Sequence, residues 1–334
     1  MSQSTASLRT IQPEEPEAST GKKILGWVTQ QYALGILIVL LIIGASTTGA
    51  FLSSRNLSNL LLQTSVIGIV TLAQFLIILT GGIDISVGSV VGLAGVMSAT
   101  LFSGGNVFVA ILVAMAVGGF IGLINGYLVA FRGLEAFIVT LGMLSLARGL
   151  VYAITQGIPV TPSAPNFGSI ANATILGFPV MGLIWLGIAA LVAFAAHRTI
   201  FGRRVYAIGS SKDAARASGV PVKSTLLTVY VVAGVMVGFA GFLLTSQVGV
   251  ATPTGGNLYE LSAIAGVVIG GTRLAGGKGG VFGTVVGTLI FAVINNLLIL
   301  LNVSTYLQSA FSGGLILVAV VFTTVRVGGR KKAR

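Results

Sequence analysis

Long apolar runs, each closed by a short polar or basic stretch, set the pattern of this chain from about residue 31 to residue 325. Ten such runs are legible, at roughly 31–52, 59–80, 84–104, 107–130, 134–155, 178–197, 224–246, 258–272, 281–300 and 306–325. Most come close to the ~20 residues that cross a bilayer as a helix. The alternation of a membrane β-strand, over ~10 residues, is absent. In hydrocarbon the backbone must satisfy its own hydrogen bonds, so helices are expected. The pattern predicts an all-α integral membrane protein of about ten transmembrane helices. Gly81-Gly82 interrupts the second and third runs and the eighth run is short. Broken or re-entrant segments are therefore expected near 80–86 and 258–280.

Basic residues sort the connecting loops by side. With the N-terminus inside, the inner loops hold Lys22, Lys23, Arg132, Arg198, Arg203, Arg204, Lys212, Arg216, Lys223, Arg273 and Lys278. The C-terminal tail adds Arg326, Arg330, Lys331, Lys332 and Arg334, whereas the outer loops hold only Arg55. An even number of spans then leaves both termini in the cytoplasm. Residues 1–23 read as a disordered cytoplasmic tail and 24–328 as one transmembrane domain with its main cytoplasmic loop at 198–223. Residues 329–334 read as a basic cytoplasmic tail. No short apolar core with a small-residue cleavage site marks a signal peptide.

Composition sharpens this picture. Of 334 residues 54% are hydrophobic and 8% charged, against ~25% charged in a soluble domain. A net charge of +12 in a soluble protein would suggest nucleic acid. Here the cations lie between apolar runs, where they determine topology, and no nucleic-acid partner is expected. The chain has no cysteine and a single histidine, His197, beside Arg198 at the end of a run. No metal site is expected. Glycine is abundant, 47 residues, and recurs every fourth position within runs: Gly88 and Gly92, Gly118, Gly122 and Gly126, Gly234 and Gly238, Gly266 and Gly270, Gly283 and Gly287. That spacing puts the glycines of a run on one helix face, where a second backbone can approach closely within the bundle, or where the face lines a pathway or a subunit interface.

Past the N-terminal tail only four acids remain, Asp84, Glu135, Asp213 and Glu260. Ionisable groups at membrane depth are costly and become functional candidates by default. Asp84 or Ser86 either caps the helix that restarts after the glycines or marks a broken helix lining a solute path. Glu260 either favours a helix N-terminus or belongs to an outer gate. Arg148 is expected to snorkel to the outer interface or to pair with Asp84 or Glu260. Asn125, Asn295 and Asn296 suit interhelical hydrogen bonds or solute contact. In the loop 198–223, Ser211 as N-cap and Gly219 with Pro221 as stop signals bound a short helix. Either an exposed surface of Ala214, Ala215 and Ala217, flanked by Lys212 and Arg216, fits a groove on a partner, or the segment is an ordinary basic loop containing a short interfacial helix. No GxxxxGK[ST] motif occurs, so ATP, if it drives the protein, binds another chain. Nor do catalytic residues assemble, which disfavours an enzyme. An ion-coupled secondary transporter using Asp84 or Glu260, and a channel, remain as rival readings.

Several stretches then resemble the ribose-type branch of ABC sugar-importer permeases. They are Gly81-Gly-Ile-Asp-Ile-Ser-Val-Gly-Ser89, Asn125-Gly126, Phe137-Ile-Val-Thr-Leu-Gly142 and Gly202-Arg-Arg-Val-Tyr-Ala-Ile-Gly209. Ala214-Ala-Arg-Ala-Ser-Gly219, Tyr259-Glu-Leu-Ser-Ala-Ile-Ala265 and Gly270-Gly-Thr-Arg-Leu-Ala-Gly-Gly-Lys-Gly279 complete the set. The resemblance implies a ten-helix permease of the bacterial cytoplasmic membrane that translocates a monosaccharide. It implies pairing with a second permease copy, cytoplasmic ATP-binding subunits that hold ATP and magnesium, and an external sugar-binding protein. By the resemblance Ser211, Asp213, Ala214, Ala215, Arg216, Ala217, Ser218 and Gly219 would form the helix that couples to the ATPase; the residues themselves leave Asp84, Ser86, Asn125, Glu260, Asn295 and Asn296 as candidates for the path or gate. Glu135 and Arg273 depart from the family's usual residues, both in cytoplasmic loops.

Overall fold

The computed structural model describes residues 32–101, 106–162, 166–304, 307, 308, 310, 311, 313 and 314. The two tails and most of the run 306–325 lie outside the described residues. The helices are α1 (Tyr32–Thr47), α2 (Ser54–Leu79), α3 (Val87–Thr100), α4 (Val107–Ala130), α5 (Ala136–Thr155), α6 (Ser169–Asn172), α7 (Val180–Arg198), α8 (Ile200–Ser210), α9 (Lys212–Ala217), α10 (Val222–Val248), α11 (Tyr259–Ile269) and α12 (Val281–Leu300). Between α6 and α7 a two-residue hairpin pairs β1 (Thr174–Ile175) with β2 (Phe178–Pro179) in antiparallel register. Among the described residues six helices, α2, α4, α5, α7, α10 and α12, are long and apolar enough to cross a membrane, and α1, α3 and α11 are shorter apolar helices. The protein is a multi-pass helical membrane protein.

Burial ranks the helices from the middle outward. In the most apolar window of α2, 78% of residues are buried, and in α10 61%, against 28% in α4 and α5. Val66, Ile69, Val70, Phe75 and Ile77 make α2 the central post. Phe108, Leu112 and Phe120 of α4 and Phe137, Ile138 and Leu141 of α5 point outward. Lipid is as apolar as those side chains, so hydrophobicity alone cannot hold such helices together, and close packing must.

Glycine supplies that packing, as the four-residue spacing predicted. On α4, Gly118 and Gly122 meet Gly234 and Gly238 of α10. A Cβ added at Gly234 would strike the Gly118 carbonyl and lie 3.0 Å from the Gly122 Cα. Between α11 and α12, a Cβ at Gly283 would strike the Gly270 carbonyl and one at Gly287 the Gly266 carbonyl. The α3 pair behaves differently. Gly88 and Gly92 receive a returning loop: a Cβ at Gly88 would strike the Glu260 carboxylate and the Gly256 carbonyl, and one at Gly92 the Gly255 carbonyl.

The loop 198–223 holds two helices where the sequence suggested one. The hydroxyl of Thr199 caps α8 by accepting from the Gly202 N–H at 3.3 Å. Val205 and Ile208 of α8 are buried. The far end of α8 meets the end of α2 and the loop before α12 at one point. The Leu79 carbonyl accepts from the Gly277 N–H at 3.0 Å. The Gly209 backbone abuts the same carbonyl, and a Cβ at Gly276 would lie 2.7 Å from the Gly81 nitrogen. Tyr206 Oη donates to the Gly279 carbonyl at 2.8 Å, and burial raises the Tyr206 phenol above its ordinary pKa.

Candidate functional site

Two breaks in the bundle carry the polar groups singled out above. The first separates α2 from α3. After Leu79 the chain turns through Gly81, whose φ of 82° suits glycine, and restarts as helix at Val87. Asp84 does not cap α3 through its first turn. Its Oδ1 accepts from the Ser86 N–H at 2.7 Å and from the Ser86 hydroxyl at 2.6 Å, a local turn two residues long. Ser86 occupies the N-cap position but its side chain caps no N–H. From α4, Asn125 Nδ2 donates to Ser86 Oγ at 3.2 Å.

Neighbouring helices secure the rest of this break. In the orientation that satisfies its amide, Gln74 of α2 donates to the Asp84 carbonyl at 3.0 Å and accepts from the Asp84 N–H at 3.2 Å. Thr140 of α5 accepts from the Ile85 N–H at 3.2 Å while donating to Ala136 at 2.9 Å. Asp84, Ser86 and Asn125 are all buried. The space they share with Gly118, Gly122 and Gly234 measures about 10 Å³, too small for any solute beyond water. Asn125 Oδ1 and Tyr230 Oη, both buried, have no partner among the described residues. Gln74, Thr140 and Tyr230 were not singled out from the sequence. A glutamine in the middle of an apolar run, Gln74, is the one signal the sequence carries for them.

The second break lies between α10 and α11, against the first turns of α3. Beyond Val248 the chain folds back over Gly88 and Gly92 and enters α11 through Leu258, at φ 63°. Arg148 neither snorkels to the interface nor pairs with Asp84. Its Nη1 donates to the Pro253 carbonyl at 2.9 Å and the Gly255 carbonyl at 3.0 Å. Glu260, on the first turn of α11, lies near enough for its charge to act on Arg148. Its carboxylate also faces the backbone N–H groups of Leu258 and Glu260. Of the six path or gate candidates, the fold gathers Asp84, Ser86 and Asn125 into one cluster and places Glu260 against Gly88, two residues beyond Ser86 in the first turn of α3.

The remaining two lie elsewhere. Asn296 and Asn56 exchange amide hydrogen bonds at 2.8 and 2.9 Å, joining α12 to the start of α2. That is the interhelical role expected for intramembrane asparagine. Asn295 beside it is half-buried and partnered.

The α9 helix forms as predicted, with one correction. Ser211 Oγ accepts from the Ala214 N–H at 3.2 Å, and Gly219 leaves the helix at φ 78°. Ala215, expected on the exposed surface, is 4% exposed and packs with Ala130, Ile208, Val222 and Leu226. Six residues wind less than two turns, so one position must face the bundle, and Ala215 is that anchor. Ala214, Ala217, Lys212, Asp213, Arg216, Ser218 and Gly219 are exposed. Arg216 Nη1 lies 3.4 Å from Asp213 Oδ1, on side chains 66% and 94% exposed. Such a surface pair is worth ~0–1 kcal/mol and is readily exchanged.

Comparison with known proteins places this arrangement. The family described as "Branched-chain amino acid transport system / permease component" matches residues 56–320. The chain belongs to this permease family. The permease is 41% identical over 302 residues to the ribose import permease protein RbsC of Escherichia coli, covering 88% of this chain and 94% of that one. It is 38% identical over 287 residues to the D-allose transport system permease protein AlsC of the same organism, covering 85% and 88%. A third relative is the xylose transport system permease protein XylH, also of Escherichia coli, at 35% identity with 85% and 88% covered. No solved structure matches the permease. The family description speaks of amino acids and these relatives of sugars. The matches span both breaks and α9, so the site lies wholly within what is shared.

Proposed function

We propose that the chain is the membrane-spanning subunit of an ATP-driven importer that carries a monosaccharide into a bacterial cell across the cytoplasmic membrane. The observation that carries this is the likeness, along nearly the whole length of each partner, to permeases named for ribose, D-allose and xylose. The chain has no nucleotide-binding motif of its own, so ATP and magnesium belong to a separate cytoplasmic subunit. A second permease copy and an external sugar-binding protein complete the assembly. Neither metal nor cofactor belongs to this chain.

In this reading the shorter helices α1, α3 and α11 and the run 306–325 join the six long spans to make ten, with both termini and α8–α9 in the cytoplasm. α9 seats in a groove of the ATPase through Ala214 and Ala217, with Ser211, Asp213, Arg216, Ser218 and Gly219 around them and Ala215 fastening the helix to the bundle. Closure of the ATPase pair on ATP moves α9 and changes the side to which the path opens. Neutral hydroxyls suit an interior with few charges.

The test is affinity purification of the tagged chain from its native membranes, followed by an ATPase assay. An ATP-binding subunit should co-purify, and a sugar-loaded binding protein should stimulate hydrolysis. Ala214→Glu, on the exposed side of α9, should abolish co-purification while leaving the monodisperse permease intact. A chain that purifies alone and transports without ATP would overturn the proposal.

A further inference from the structure

The loop between α10 and α11 is built with more care than a simple connector needs. Gly249 ends α10 at φ 77°. Ala251 then exchanges both backbone hydrogen bonds with Val160, at 2.8 and 2.9 Å, tying the loop to the segment after α5. Arg148 grips the next turn by two carbonyls. Gly88 and Gly92 leave room for Gly255, Gly256 and Glu260 to settle against α3. Three separate devices therefore fix ten residues of irregular backbone, 249–258, folded back against the first turns of α3. Irregular backbone at membrane depth is tolerated where it lines a cavity.

It does line one. Between the loop, α3 and the end of α10 lies a cavity of about 240 Å³. Its polar lining is Thr245, Thr252, Thr254, Asn257 and Tyr259. The Thr245 hydroxyl spends its proton on the Gly241 carbonyl at 3.1 Å, which leaves its oxygen as an acceptor. The side chains of Thr252, Thr254 and Asn257 make no hydrogen bond among the described residues. Val91, Leu244, Val248 and Val250 supply an apolar wall. Among the described residues no charged side chain lines the space, and Arg148 nearby is held by the loop carbonyls.

That lining selects a chemistry. Hydroxyl and amide groups offer donors and acceptors in mixed order, as a polyol requires, and the valine and leucine wall suits the C–H face of a ring. A zwitterion or an anion would find no countercharge and would forfeit its hydration. Sites for drug-sized ligands begin at ~300 Å³, so a single smaller molecule is the right scale. We infer that this cavity is a solute subsite for one neutral polyhydroxylated molecule of monosaccharide size, roofed by residues 249–258, with Arg148 as the residue that positions the roof. This rests on the importer reading above and adds to it a place and a set of contacts.

Because the chain has no cysteine, Thr254→Cys gives a single reporter in the lining. In the complete importer in nanodiscs, the rate of maleimide labelling at that cysteine is measured with D-ribose, D-allose, D-xylose or leucine at high concentration. At least one sugar should slow labelling severalfold, and leucine should leave it unchanged. Asn257→Ala combined with Thr252→Val should reduce uptake about tenfold, equivalent to ~1.4 kcal/mol, with stimulation of ATPase by the loaded binding protein retained. Arg148→Gln should accelerate labelling and remove the protection, and Arg148→Lys should restore part of both. Labelling that no sugar slows, in an importer whose ATPase still responds to the loaded binding protein, overturns the subsite and leaves the importer standing. Protection by leucine alone overturns the polyol assignment. Loss of the ATPase response itself would instead refute the importer reading.

Discussion

Replacing Gly234 by alanine isolates the contact that joins α4 to α10. A Cβ added there would strike the Gly118 carbonyl oxygen and lie 3.1 Å from its carbon and 3.0 Å from the Gly122 Cα. Ordinary carbon contacts are ~3.5–4.0 Å, so the helices must part by roughly 0.5–1 Å, which forfeits about a quarter to a half of each nearby dispersion well. All three obstructing atoms are backbone and cannot rotate away. Overpacking of this kind costs ~1–3 kcal/mol. Gly187, exposed on α7 with nothing within 4 Å of an added Cβ, is the control. Alanine gains ~1 kcal/mol of helix propensity at either position, so that contribution cancels in the comparison. At ~2–4 °C per kcal/mol, Gly234→Ala should melt about 3–10 °C below Gly187→Ala in detergent, followed by fluorescence-detected size exclusion. Equal melting temperatures would refute the claim that backbone contact through glycine holds these helices.

Other outcomes follow from the same structure. Asn56→Leu alone strands the Asn296 amide in the core and should cost ~1–3 kcal/mol, whereas Asn56→Leu with Asn296→Leu should recover most of it in a double-mutant thermal-shift cycle. Asp84→Asn keeps an acceptor for Ser86 and should preserve folding and uptake, while Asp84→Leu should lose both; an uptake assay in which Asp84→Asn folds but fails to transport would show that the charge itself is required. The half-buried Tyr206 phenol has a pKa raised by burial, so its contribution to stability is fully present below the ordinary value near 10 and is lost as pH rises through the folded value. Tyr206→Phe should therefore be flatter than wild type in this alkaline range of the thermal-shift profile, and parallel profiles would refute the assignment.

How far the sequence foretold this arrangement varies with the physical signal. Apolar runs and four-residue glycine spacing report on helix faces directly, and four of the five glycine sets found another helix. Gly88 and Gly92 carry the same spacing but receive a loop, because a missing side chain announces a close approach without naming what approaches. The short α9 was legible from Ser211 and Gly219, which act locally. α8 has weaker local signals: Thr199 stands at its cap and Phe201, Val205 and Ile208 recur at helical spacing, but the intervening Arg203-Arg204 pair interrupts the apolar face. Ala215 was misplaced because six residues are too few for a periodicity to emerge. The grip of Arg148 on two carbonyls 105 and 107 residues away leaves no trace in local pattern, since backbone acceptors look alike in every residue. For the same reason the reach of Gln74 and Thr140 into the Asp84 turn needed coordinates.

The meeting of α2, α8 and the loop before α12 at the Leu79 carbonyl makes three distant parts of the chain behave as one joint. Gly209, Gly276 and Gly277 contribute no side chains to it, so the joint has no compressible filling. A push delivered where α9 begins, two residues beyond Ser210, has no soft material to be lost in before it reaches Gly81 and the turn that carries Asp84. Stiffness at that point is thus achieved by subtraction, and even a single added methyl group would act as a wedge there.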